Sequence, residues 1–175
     1  MKDKELEKDI RAVLKKLDKL PRAIGVTPKG KVVTREKRTQ SALRASAKKF
    51  IPKMQSNVRD GHKKHFRYVG GGTKITYYPG NLRRSINAMT FRKASPLSVF
   101  VGPKRSRGKN TSFGNGKKFD PYYAPFIHNG TDKITARPFV EKGFEAGKQE
   151  VLKDLKKRVE NIFRYYAKQK GLGKI

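Results

Sequence analysis

The sequence predicts an α+β fold, because helix-like and strand-like patterns occupy separate parts of the chain. Apolar residues recur every three or four positions near both ends, which is typical of amphipathic helices. Short runs rich in aromatic and β-branched residues lie in the middle and are typical of strands. We therefore expect a small antiparallel sheet packed by one helix from the N-terminal half and by a long C-terminal helix. An extra N-terminal helix and a basic arm precede this core.

The first element is an amphipathic helix over residues 3–20, with acidic residues at its start and lysines near its end. Pro21 ends it, because proline cannot donate the next helical hydrogen bond. Residues 21–38 hold two prolines, two glycines and few large apolar residues. They predict a basic arm or linker, with a short hairpin around Lys29-Gly30.

The arm marks the expected domain boundary. Residues 1–38 form the N-terminal helix and basic arm, and residues 39–175 form the α+β domain. A second helix begins at about Thr39 with an alanine-rich apolar side, and Pro52 should kink or end it.

The strands are expected in two pairs. Residues 66–69 and 75–78 predict a hairpin around Gly70–Gly72. Residues 87–93 and 97–102 predict a second pair, joined by a short connection that contains a proline.

A helical turn, a long loop and a final helix complete the prediction. Residues 81–86 predict one helical turn. Residues 103–119 predict a long loop rich in Gly, Ser, Asn and Lys, which is either functional or disordered. Pro138 is acceptable in the first turn of the final helix, and Gly171 ends it. This helix spans about 30 residues, or about 45 Å. Its apolar stripe consists of Val140, Phe144, Val151, Leu155, Val159, Ile162 and Tyr166.

The charge is strongly and unevenly positive. The chain carries 44 Lys and Arg against 14 Asp and Glu, a formal net charge of +30. Residues 61–119 contain fourteen basic and no acidic residues. Because such a surplus repels itself, we expect an anionic partner. The chain has no cysteine, so disulfides and thiolate zinc sites are excluded. We expect no membrane span and no secretory signal, since no long apolar run occurs and charges interrupt the N-terminus.

Signals for catalysis are weak. His62 and His65 have a ligand-like spacing but lack nearby carboxylates, and solvated loop histidines are the favoured interpretation. The Gly70–Gly72 run resembles part of a phosphate loop but lacks the full spacing, so a hairpin turn is favoured. Asp120 and Asp132 form no recognisable pair, and we expect them to cap or stabilise turns. We therefore expect no enzyme, cofactor or metal.

Signals for nucleic-acid binding are stronger but not specific. Basic residues of the 103–119 loop can bind phosphates, or an acidic protein, without reading a base sequence. Phe113 and Phe119 could stack on bases or anchor the loop to the core, and the sequence leaves both open. The candidate contacts are Lys104, Arg105, Arg107, Lys109, Lys117 and Lys118.

Three segments then point to a family. Residues 81–86, N-L-R-R-S-I, are similar to the signature T-G-x-L-R-x-S-I. Residues 123–131, Y-A-P-F-I-H-N-G-T, are similar to Y-A-x-[FY]-[VI]-E-x-G-T, and residues 136–140, A-R-P-F-V, to A-R-P-F-[LIV]. In this order the chain resembles the tail-completion or neck proteins of tailed bacteriophages, relatives of the lambda minor tail protein Z. Departures are Pro79 in place of Thr and His128 in place of Glu.

The resemblance implies a structural virion protein that forms a ring of identical subunits, sixfold, at the head–tail junction. Such a ring joins the tail terminator or tube to the head connector and surrounds the DNA path. It belongs to the neck of the virion, and to the host cytoplasm during assembly. The motif residues implied to shape the fold or the subunit interface are Leu82, Arg83, Arg84, Ser85, Ile86, Tyr123, Ala124, Gly130, Thr131, Arg137, Pro138 and Phe139.

The motif residues also lead to two structural expectations. Gly130 should permit a tight turn, with Tyr123, Phe126 and Ile127 packed inward. The motif arginines should bridge subunits or line a channel.

The first alternative function is sequence-independent nucleic-acid binding through a basic surface. The second is an enzyme such as a nuclease, which would need a carboxylate or histidine cluster.

Overall fold

The computed structural model describes residues 2–59, 61, 63–90, 98–106, 112–114 and 118–171. Its helices are α1 (Lys2–Lys15), α2 (Arg35–Ala47), α3 (Phe50–Ser56), α4 (Asn81–Ser85), α5 (Ala124–Asn129) and α6 (Phe139–Gln169). Its strands are β1 (Ala23–Val26), β2 (Val32–Thr34), β3 (His65–Val69), β4 (Thr73–Tyr77), β5 (Ile86–Thr90), β6 (Val99–Pro103) and β7 (Ser112–Phe113). The α+β class is confirmed.

The strands form three small sheets in the described part of the chain, where one antiparallel sheet was expected. β1 pairs with β2 and β5 pairs with β6, while β3, β4 and β7 form a three-stranded sheet in that order. β3 and β4 are antiparallel, but β7 runs parallel to β4. β7 was not predicted, because two residues inside a polar loop show no strand periodicity of their own.

The chain divides into two compact units. The first contains Met1–Lys49, Met89–Phe100 and Lys148–Ile175, and the second contains Phe50–Ala88 and Val101–Gly147. This division differs from the boundary expected between residues 38 and 39, since the N-terminal elements group with the last part of α6.

In the first unit, the predicted arm folds into the β1–β2 hairpin, and the hairpin expectation is confirmed. A 3₁₀ turn ends the first helix, and the next helix starts at Arg35, earlier than expected. Thr34 caps that helix by accepting the backbone N–H of Lys37. The Arg35 guanidinium donates to the carbonyls of Leu17 and Leu20, so it ties the end of the first helix to the start of α2.

The break near Pro52 has a different position from the predicted one. α2 ends at Ala47 and α3 begins at Phe50, so the chain breaks before the proline. Pro52 lies in the first turn of α3, where its missing N–H removes no helical hydrogen bond.

In the second unit, two glycines let α3 lie very close to the start of α6. A Cβ at Gly143 would lie 2.4 Å from Met54 Cγ and 2.7 Å from the Met54 backbone nitrogen. A Cβ at Gly147 would lie 2.7 Å from the Phe50 ring, and that ring stacks on Phe144 with centroids 5.1 Å apart. The single long helix predicted at the C-terminus is confirmed, and it has 31 residues.

The sheet of the second unit buries one face. Ile75, Tyr77 and Phe113 form its core, with Tyr122 and Tyr123 packed against them. The predicted hairpin is confirmed, with Gly71 and Gly72 at positive φ in its turn. Phe113 is 2% exposed, so of its two open roles the structure favours anchoring the loop to the core.

Candidate functional site

The first two motifs meet in one buried hydrogen-bonded cluster in the second unit. Asn81 is fully buried, and its side-chain Nδ2 donates to the backbone carbonyl of Asp120 at 2.8 Å. Its Oδ1 accepts the Asp120 N–H at 3.2 Å. The backbone N–H of Leu82 donates to the Tyr123 hydroxyl at 3.1 Å. The Asn81 side chain therefore holds the chain ahead of the second motif against the helical turn of the first.

Asp120 is the buried acid of this cluster. It is 2% exposed, and its Oδ2 accepts the Tyr77 hydroxyl at 3.2 Å. Burial, followed by the charge and hydrogen bond of Asp120, raises the pKa of Tyr77 to about 12. Arg105 Nε lies 3.2 Å from Asp120 Oδ1. The sequence predicted only a capping or turn role for Asp120 and did not predict this cluster. The available signal was that Asp120 is the first acidic residue after 59 residues that contain no Asp or Glu.

The Ser85 hydroxyl and the Arg84 guanidinium stabilise the helical turn from within the unit. Ser85 Oγ donates to the Leu82 carbonyl at 2.6 Å. Arg84 donates to the carbonyls of Pro79, Gly80 and Gly114. Arg84 therefore ties α4 to the end of β7 through its fork of donors. Its side chain is engaged within its own subunit, unlike the bridging or channel-lining role expected for it.

The second and third motifs form one tight corner. The Gly130 N–H donates to the Phe126 carbonyl at 3.0 Å, and the Arg137 N–H donates to the Ile127 carbonyl at 2.9 Å. At Gly130, φ is 81° and a Cβ would lie 2.8 Å from the Ala136 nitrogen, so the glycine expectation is confirmed. The residues expected to form only a turn include the short helix α5. Phe126 is 50% exposed, so the expectation that it packs inward is wrong.

The remaining motif residues mostly support the corner and the core. Leu82, Ile86, Ala124 and Phe139 are buried, and Thr131 bridges to Ile134. Pro138 immediately precedes α6, as expected. Arg83 is exposed, while its carbonyl accepts the Gln55 side chain. These residues therefore belong to the core and to the corner of the second unit.

The Arg137 side chain lines a cationic cleft of about 470 Å³. Arg59 and Lys142 lie in the same cleft, beside the polar side chains of Ser56, Asn57 and Thr135. None of its lining residues is acidic. Such a cleft can hold a phosphate or carboxylate through charge-assisted hydrogen bonds.

The structure brings three of the candidate nucleic-acid contacts to the base of one loop. The Ser106 N–H donates to the Phe119 carbonyl at 2.7 Å, so the two ends of the loop are joined. Lys104, Arg105 and Lys118 are all exposed near this junction. Arg107, Lys109 and Lys117 lie outside the described residues.

Catalytic and metal-binding groups are sparse in what the structure describes. The described residues hold no group of three or more His, Asp or Glu side chains able to bind a metal. His62 lies outside the described residues, and His65 stacks on Tyr77 with ring centroids 4.9 Å apart. Burial lowers the pKa of His65. In the same part of the chain, no helix has the length and apolar character needed to span a membrane.

Comparisons with protein-family models, curated proteins and solved structures gave no match.

Proposed function

We propose that this protein is a structural component of a tailed bacteriophage virion, forming a ring at the head–tail junction that surrounds the DNA path. The observation that supports this is the joining of the three motif segments. Leu82 bonds to Tyr123, and Arg137 bonds to Ile127, so the resemblance rests on residues that shape one structural unit.

Exposed apolar side chains support self-association. In the first unit, Val26 and Val32 face each other across the hairpin and are 50% and 56% exposed. In the second unit, Phe126 and Ile134 are 50% and 37% exposed. Contiguous exposed apolar surface marks protein interfaces, and these pairs are the candidate contacts of the proposed ring. In the proposed ring these groups meet neighbouring subunits or the tail terminator, tail tube and head connector.

The net charge supports an anionic neighbour in that ring. Six copies at +30 each carry +180 formal charges, which would strongly repel one another without counter-charges. Packaged DNA in the channel and acidic walls of adjacent rings supply such counter-charges. The same proposal places the protein in the neck of the virion and, before assembly, in the host cytoplasm.

Light scattering on the purified chain, alone and mixed with candidate neck proteins, tests the ring. We expect a mass that is a multiple of the 19.9 kDa chain, and a smaller mass for a Val26→Asn, Val32→Asn double variant. Lys29→Gln and Lys31→Gln in the same hairpin are the matched controls. A strict monomer in every mixture, or the absence of the protein from virions imaged by cryo-EM, contradicts the proposal.

A second candidate is sequence-independent binding of nucleic acid by a basic surface. It is favoured by the grouping of Lys104, Arg105 and Lys118 at the base of one loop, and by the acid-free cleft around Arg137. It predicts tight binding by the monomer, with a steep loss of affinity as salt rises. Salt-dependent binding without any ring assembly would favour it over the virion proposal.

A further inference from the structure

The outer face of the β3–β4 hairpin carries aromatic rings that the fold does not bury. In the register of this antiparallel pair, Phe66 lies opposite Thr76 and Tyr68 lies opposite Lys74. Alternate residues of the same strands, Ile75 and Tyr77 among them, belong to the buried face. Phe66 is 51% exposed and Tyr68 is 68% exposed. Because side chains alternate along a strand, these two rings stand on one face about 6.7 Å apart along it.

Lysines lie over two aromatic rings in this part of the chain. Lys74 Nζ lies 4.0 Å from the centroid of the Phe66 ring. At the open end of the hairpin, Lys64 Nζ lies 4.8 Å from the centroid of the Tyr78 ring. The face therefore combines flat apolar surfaces with ammonium groups carried on long stems, one of them packed over the Phe66 ring.

Negative charge is absent from this part of the sequence. No Asp or Glu occurs between residues 61 and 119, so the face offers no carboxylate that would repel a polyanion. An apolar protein partner would need the lysines to lose their hydration without a partner charge, which is costly. A polyanion that also carries flat aromatic groups satisfies both features.

We propose that the outer face of the β3–β4 hairpin binds single-stranded nucleic acid, with bases stacked on Phe66 and Tyr68 and phosphates held by Lys64 and Lys74. Stacking of bases on exposed aromatic side chains beside basic residues is independent of base sequence. Duplex DNA cannot bind in this way, because its bases are already stacked inside the helix. The site uses the hairpin's own side chains and does not depend on ring formation.

Fluorescence anisotropy with a labelled oligo-dT strand, and with a labelled duplex of equal length, tests the site on the full chain. We expect the Phe66→Ala, Tyr68→Ala double variant to lose affinity for oligo-dT by at least about tenfold. Its affinity for the duplex should stay within about twofold, since the basic groups that hold duplex phosphates remain. Phe100→Ala, whose ring is 49% exposed in β6, is the matched control and should bind both probes like the wild type.

A second variant removes a positive charge and keeps both aromatic rings of the hairpin. Lys74→Gln should lower the slope of log affinity against log salt for oligo-dT by about 0.7, the amount expected for one phosphate contact. Circular dichroism and thermal melting confirm that each variant is folded. The proposal is overturned if the wild type does not bind oligo-dT, if the double variant binds it unchanged, or if both probes lose affinity equally.

Discussion

The Leu82 N–H donates to the Tyr123 hydroxyl at 3.1 Å, across 41 residues of sequence. Leu82 is in the short helix α4, whose first N–H groups have no partner within the helix. Tyr123 supplies the missing acceptor and also accepts the Asn81 side chain at 3.3 Å. Two segments that the sequence identifies separately as motifs are therefore parts of one hydrogen-bonded arrangement.

Replacing Tyr123 by Phe removes this acceptor and retains the ring. We expect Tyr123→Phe to lower the free energy of unfolding by about 1–3 kcal/mol, because the buried Leu82 N–H is left unpaired. Urea denaturation measures the change. Tyr68→Phe is the control, and its highly exposed hydroxyl should contribute less than about 0.5 kcal/mol. Equal stability of wild type and Tyr123→Phe would show that the hydrogen bond is unimportant.

Gly143 is expected to tolerate no side chain. Its Cβ would lie 2.7 Å from both the Cα and the backbone nitrogen of Met54, and a backbone atom cannot move as a side chain does. We expect Gly143→Ala to lower the free energy of unfolding by about 1–3 kcal/mol, even though alanine favours helices. Thermal unfolding of Gly70→Ala is the control, since nothing lies within 4 Å of a Cβ there. A gain in stability at Gly143 would contradict the close approach of α3.

Arg84 and Lys118 are expected to have different roles. Arg84 stabilises the fold, whereas Lys118 is available to bind a polyanion. Arg84→Met should lower the free energy of unfolding by about 0.5–1.5 kcal/mol, because three carbonyls lose their shared donor. Its affinity for duplex DNA should change little. Lys118→Met should do the opposite, because its exposed side chain lies at the base of the basic loop, within reach of a polyanion. Urea denaturation and a DNA-binding titration of both variants check this, and a reversed pattern would contradict the assignment.

Asp154 makes the stability of the first unit depend on pH in the acidic range. Burial alone would raise the pKa of this carboxyl, but hydrogen bonds from Arg158 and Ser46 and the charges of Arg158 and Lys49 lower it overall. Because the folded pKa lies below the unfolded value of about 3.9, the unfolded state takes up the proton first as pH falls. The stability from Asp154 is therefore complete above about pH 4–5 and is lost as pH falls through the folded pKa.

The prediction for Asp154 is a difference that depends on pH. At pH 7, Asp154→Asn should be less stable than the wild type by about 1 kcal/mol, since a charged acceptor bonded to Ser46 at 2.8 Å is lost. At about pH 3 the difference should shrink, because the unfolded wild-type chain then takes up a proton more readily than the folded chain does. Asp132→Asn, at an exposed position, should show no such difference. Urea denaturation at both pH values measures it, and a constant difference would contradict the lowered pKa.

Elements with a strong local pattern were predictable. The β3–β4 hairpin follows from three glycines between two aromatic-rich runs, and α6 follows from one long apolar stripe. Their start and end positions were less predictable. The first helix changes to a 3₁₀ turn at Lys16, and the break after α2 precedes Pro52 by several residues. Local propensity does not determine where a helix ends when packing and capping compete with it.

The candidate site was predictable only in part. The basic loop was identified from its composition, but composition does not show that Arg105 lies beside Asp120. The sequence placed Phe66 and Tyr68 in a strand, but it did not indicate which face of that strand the core would cover and which would remain exposed. That choice is made by Tyr122, Tyr123 and Phe113, which lie far away in sequence.

The sequence by itself determined the α+β class, the uneven charge and the elements whose periodicity is local. Each of these depends on residues within one turn, one strand or one run of charge. Only the tertiary structure decided that Asp120 is buried against Tyr77, that β7 joins β4, and that Phe66 and Tyr68 remain in water. Burial and strand pairing depend on residues 30 or more positions away. No local pattern encodes which distant side chain will cover a given residue and exclude solvent from it.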